Sequence, residues 1–151
     1  MEVKIGIGLD DLVFGMSAKD VKNILGTPDR ISETEKTEGI VYYYNDLFIK
    51  TKFDLNEDGK MYSIEVFNAE AILLDQIVMG KKKDEILSFL KSKGYCTFEE
   101  DDYEFFETLL CEEIWCTFTF EFNRLRSFEF SPLSDENENN IWPDRSVWDA
   151  S

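Results

Sequence analysis

The stretch most suggestive of chemistry is Asp54-Leu55-Asn56-Glu57-Asp58-Gly59, with Glu65 further on. It fits the calcium-loop pattern D-x-[DN]-x-[DN]-G-x5-E in full, which places side-chain oxygens where they could surround a hard divalent cation. Such a loop needs helices on both sides to make its oxygens converge. Here the flanks alternate with period two, through Leu47, Ile49, Thr51 and Phe53 before it and Tyr62, Ile64 and Val66 after it. That is strand patterning, and Asp58-Gly59 supplies the left-handed residues of a β-hairpin turn. The hairpin is therefore the favoured reading, with no metal or other cofactor expected. Calcium binding stays open as one functional alternative.

A second constellation is acidic. Glu99, Glu100, Asp101, Asp102, Tyr103 and Glu104 run together, followed by Phe105, Phe106 and Glu107, with Glu112 and Glu113 beyond. Charge on an edge strand discourages strand-to-strand aggregation, which is one reading of the run. The other is a docking strip for a basic protein, in which interleaved aromatics supply contact area at low entropic cost.

The alternating strands suggest a third. Ile114, Cys116, Phe118, Phe120 and Phe122 form an apolar face, leaving Trp115, Thr117, Thr119 and Glu121 on the other. Likewise Leu47, Ile49, Phe53 and Leu55 face in, while Phe48, Lys50, Lys52 and Asp54 face out. Ser63, Ser127, Glu65 and Glu129 join the outward face. Phe48 and Trp115 fall at equivalent places on an otherwise polar surface. A C-terminal tail carrying Trp142 and Trp148 could cover them, or they could be exposed anchors of a binding surface.

Catalysis finds little support. The chain has no histidine, which removes the commonest general base and zinc ligand. It contains no Gly-rich phosphate loop, nucleophile elbow or paired-cysteine metal spacing. Cys96, Cys111 and Cys116 are odd in number and lack CxxC spacing, so reduced thiols are expected. The 32 acidic and 16 basic residues give a net charge of −16. That surplus repels phosphates and anionic membranes and favours a basic partner. The opening residues show no export signal, so the cytoplasm is the expected address.

These residues need elements to position them, and the elements repeat. Residues 6–25 align without a gap over 71–90, pairing Asp10 with Asp75, Val13 with Val78, Gly15 with Gly80, Val21 with Ile86 and Leu25 with Leu90. Residues 47–56 align over 114–123, and 63–66 over 127–130, in the same order. In the first copy Ser17 with Asp20 forms a helix N-cap, and Gly26-Thr27-Pro28 stops the helix. The expected fold class is α+β: two tandem units, 1–69 and 70–133, each a short helical segment on an antiparallel β-meander, then a polar tail over 134–151.

The run Gly15-Met16-Ser17 through Leu25-Gly26-Thr27-Pro28, the aromatic Tyr42-Tyr43-Tyr44, and Phe53-Asp54 with Asp58-Gly59-Lys60 resemble the repeat unit of β-lactamase-inhibitor-protein-like folds. The small outer-membrane assembly lipoproteins of the SmpA/OmlA type share that unit. The resemblance covers residues 5–131. It implies a sheet that binds other proteins and names no catalytic residue. The second copy departs from it, lacking the Leu-Gly-x-Pro helix end and the Asp-Gly turn. The resulting expectation is a protein-binding inhibitor of immunity type that occludes a basic toxin or enzyme, with neither nucleic acid nor membrane as partner. A structural or assembly scaffold is the alternative.

Overall fold

Period-two patterning builds most of the molecule. In the computed structural model, which describes residues 1–34, 39–144 and 146, strand β6 (Ile49–Asp54) buries Ile49, Thr51 and Phe53 and turns Lys50, Lys52 and Asp54 outward. Three two-residue strands, β1 (Val3–Lys4), β2 (Gly8–Leu9) and β3 (Leu12–Val13), form a small sheet ahead of helix α1 (Ala18–Leu25). Strands β4 (Arg30–Thr34), β5 (Gly39–Tyr44), β6 and β7 (Lys60–Val66) then run as an antiparallel meander. A two-stranded ribbon, β8 (Ile72–Leu73) and β9 (Gln76–Ile77), precedes helix α2 (Lys83–Ser92). A second meander follows: β10 (Phe98–Asp102), β11 (Glu107–Cys111), β12 (Cys116–Glu121) and β13 (Arg124–Phe130).

These eight longer strands form one sheet, in the order β10-β11-β12-β13-β7-β6-β5-β4. That corrects the expected fold class. The chain is mostly β, with two short helices on a continuous sheet, and does not divide into two helix-on-meander units of an α+β protein. The physical reason is the junction of β13 with β7, where Phe128 pairs with Val66, Glu129 with Glu65 and Phe130 with Ile64. Each meander ends on a strand with an unsatisfied row of backbone groups, and pairing the two rows satisfies both. Phe128 and Phe130 are buried there, and the Phe14 ring meets Phe130 edge-on at 5.4 Å.

The helices cover one face of this sheet. Val21 of α1 and Ile86 and Leu90 of α2 are fully buried in a single core with Phe53, Met61, Phe118 and Phe120. α1 starts as its sequence requires: Ser17 Oγ accepts from the Asp20 N–H at 3.1 Å, and the Asp20 carboxylate accepts from the Ser17 N–H at 3.0 Å. Both helix leads are pinned to the sheet in the same manner. Gly15 donates to Met61 and Met61 to Met16, while Gly80 donates to Leu125 and Leu125 to Lys81. Gly8 cannot be replaced, because a Cβ there would lie 1.8 Å from the Leu12 carbonyl oxygen. After β13 the chain turns back: Trp142 packs against the core and lies under the Lys60 ammonium at 4.9 Å. Trp148 lies outside the described residues.

One buried group is out of keeping with its surroundings. Thr51 is fully buried, and its hydroxyl has no hydrogen-bond partner among the described residues. An unpaired buried hydroxyl costs about 1–3 kcal/mol, and valine has nearly the same shape. Thr51→Val is expected to raise stability by about 1 kcal/mol or more, seen as a higher urea midpoint at unchanged slope.

Candidate functional site

The alternation that makes β10 a strand also divides its acids. Glu99 pairs with Leu110 and Asp101 with Thr108, on the face away from the helices. Glu100 and Asp102 point to the helix side, where Lys83 of α2 meets Glu100 at 3.1 Å and Glu107 at 3.3 Å. Burial works to lower the Lys83 pKa, but those two carboxylates outweigh it and hold the ammonium above its ordinary value. Glu99, Asp101, Asp102 and Glu104 have no ion-pair partner among the described residues. The run is thus one committed carboxylate and several unmatched ones, placed at a free sheet edge.

Beyond β10 the chain reverses through residues 103–106, closed by the Tyr103 N–H donating to the Phe106 carbonyl at 2.8 Å. The Tyr103 and Phe106 rings stack at 4.6 Å, yet they remain 51% and 40% exposed, and Phe105 is 80% exposed. Phe122 lies beside them, lining the same cleft of about 230 Å³, and is 92% exposed. This overturns the expectation that Phe122 continues the core face of β12. The strand ends at Glu121, and Phe122 with Asn123 forms a two-residue turn to β13, with φ of 50° and 58°. Such turns favour glycine, asparagine and aspartate. Phe105 and Phe106 fall within the expected acidic and aromatic strip, though only Tyr103 of its aromatics was singled out, and Phe122 was assigned to the core. The signal for Phe122 was present, as an aromatic where the turn asks for asparagine.

The outward face of the central strands is closed on itself. Glu65 and Glu129 stand directly opposite each other across the junction, an arrangement that is destabilising for like charges. Lys50 relieves it from 3.5 Å of Glu65, and Lys52 is hydrogen-bonded to Glu129. Burial lowers the Lys52 pKa, but Glu129 and then Glu65 raise it further, so it lies above the ordinary value. Lys50 also lies over the rings of Tyr43 and Phe67, and Arg30 over Tyr43.

Phe48 and Trp115 are equivalent in backbone: both precede a strand, with φ of 55° and 50°. They are not strand residues, and their surroundings differ. Phe48 is 59% exposed between two shallow clefts. Trp115 is partly buried, and its indole N–H donates to Ser134 of the tail. The tail therefore holds one of the pair and leaves the other open.

Two acids beyond the run do local work. The Glu113 carboxylate accepts from the Cys96 N–H at 2.6 Å and the Thr97 N–H at 2.9 Å, and these bonds hold its pKa below the ordinary glutamate value. The calcium-like loop is the expected hairpin: β6 and β7 flank it, a short 3-10 turn occupies Leu55–Glu57, and Asp58 and Gly59 take φ of 57° and 71°. Asp54 spends one carboxylate oxygen on the Asn56 N–H. Among the described residues no three metal-ligating side chains gather into a cluster. Burial raises the thiol of Cys111 to about 11 and pushes that of Cys116 well above its ordinary value, leaving Cys96 as the exposed cysteine.

Two measurements check this geometry. A folded pKa below the unfolded one stabilises above the unfolded value, and the contribution is lost as pH falls through the folded value. Glu113→Gln is thus expected to lower Tm at neutral pH, with wild-type and variant curves converging below the carboxylate range. A left-handed backbone costs an L-residue with a bulky side chain about 1–2 kcal/mol. Phe122→Asn is therefore expected to stabilise the fold by about 1 kcal/mol in urea titration.

Three comparisons with known proteins bear on this chain. No curated protein matches it. A solved extracellular protein containing an SCP domain, from Bacillus anthracis str. Ames, aligns with a TM-score of 0.48 and 12% identity over 78% of this chain. The alignment spans 43% of that protein, so this chain corresponds to less than half of its length. The sequence profile of a domain of unknown function, DUF7738, matches residues 2–110, which runs from β1 into β11. The chain belongs to the DUF7738 family.

Proposed function

We propose that this protein binds a basic protein, a toxin or an enzyme, and neutralises it by occlusion, as an immunity protein or inhibitor does. The observation that carries this reading is the uneven matching of charge across the sheet. On β4 to β7 the cations Arg30, Lys50, Lys52 and Lys60 are each held against a ring or a carboxylate. At the opposite edge Glu99, Asp101, Asp102 and Glu104 face solvent unmatched. Within a chain of net charge −16, that edge concentrates negative potential where no second strand covers it. Unmatched rim charge acts chiefly on encounter, speeding approach of an oppositely charged surface and rejecting acidic ones. The absence of histidine from the chain fits a binding role better than acid–base catalysis.

The partner can be identified by capture from native lysate, and association then followed for Glu99→Gln/Asp101→Asn/Asp102→Asn. The triple variant is expected to associate about tenfold more slowly at low salt, with a flatter salt dependence and little change in dissociation. Association at the wild-type rate at low salt would remove this edge from the mechanism.

A further inference from the structure

The hairpin ends beside the acidic edge carry a more specific assignment. Tyr103, Phe105, Phe106 and Phe122 come from two different turns and line one cleft, so four aromatic rings gather where the sheet ends. Folding does not ask for them there. Phe105 and Phe122 are almost wholly in water, and Phe122 occupies a left-handed turn position that asparagine or glycine would fill without strain. Large apolar groups kept in solvent at a conformational cost mark a surface that is covered in use.

The chemistry of the cover follows from the rim. Asp102 and Glu104 border the rings, and Glu99 and Asp101 stand on the other face of β10 at the same sheet edge, none of them ion-paired. A second copy would bring two such rims together, each on a chain of charge −16, and a bilayer, neutral or net negative, offers no net positive charge to match unpaired carboxylates. We propose that this aromatic tip is the anchor for a cationic protein surface with an apolar centre. The aromatic rings enter the apolar part and the carboxylates meet the surrounding lysines and arginines. This assignment rests on the partner-binding role above and adds to it which residues hold the partner once encounter has occurred. The division of labour is the usual one for interfaces, with buried aromatics setting residence and rim charge setting approach.

The test uses the full chain and two short synthetic peptides of equal length and charge, one alternating lysine with leucine and one alternating lysine with serine. Titration calorimetry measures affinity, and amide shifts locate the contact. The wild type is expected to bind the lysine–leucine peptide at least about tenfold more tightly than the lysine–serine peptide, with shifts at residues 103–106 and 122. Phe105→Ser/Phe122→Asn is expected to abolish that preference while keeping the weaker affinity for the lysine–serine peptide. Its unfolding midpoint checks that the fold is intact. Glu99→Gln/Asp101→Asn should weaken both peptides and leave the preference. Equal affinity of the wild type for both peptides overturns the anchor and leaves the charge-based reading standing. Failure to bind either peptide at low salt overturns both. Dimerisation of the wild type that the aromatic variant abolishes, or binding to phosphatidylcholine vesicles, would show a different occupant and also overturn the assignment.

Discussion

Three residue pairs between β7 and β13 decide what kind of molecule this is. Without them each meander would end on an open strand with its backbone donors and acceptors in water. With them the two rows satisfy each other, and Phe128 and Phe130 close over the join. The cost of the arrangement is electrostatic, since it sets Glu65 opposite Glu129. Lys50 and Lys52 on the neighbouring strand answer that cost, one for each carboxylate. The charged residues of the central outward face are therefore paired with one another across the junction.

The unmatched groups accordingly lie at the ends. The β10 edge keeps carboxylates that no lysine reaches, and the adjacent turns keep rings that no core accepts. The tail, meanwhile, returns to the body through Trp142 and bonds Trp115 through Ser134. Family membership adds no activity to this picture, because the family is one of unknown function.

Local rules were readable from the residues, and long-range ones were not. Ser17 with Asp20 and Asp58 with Gly59 announce a cap and a turn, because each depends on a few neighbouring backbone groups. The division of residues 99–102 between two faces follows from strand alternation alone. The junction of β7 with β13 could not be read, since nothing near Val66 in sequence indicates that Phe128 will pair with it. The apparent two-unit pattern thus concealed a single sheet. Phe122 was misplaced for a subtler reason: alternation was carried one residue past the end of β12, into a turn where direction is set by φ. Phe48 and Trp115 were correctly paired but sit in left-handed positions before their strands, where alternation no longer says which way a ring points.

The order of the strands leaves two edges, β10 and β4, each the first strand of its meander. They are different surfaces, so a contact between the β10 of one molecule and the β4 of another would be heterologous. Contacts of that type do not close into a pair; they leave a fresh edge at each end and can extend indefinitely. The charge pattern bears directly on that hazard. β10 carries four consecutive carboxylates, whereas β4 carries one charge of each sign, Arg30 and Glu33, so the negative charge that meets an approaching strand is concentrated at the β10 edge. The acids of β10, whatever partner they meet, thereby oppose growth of the sheet into filaments.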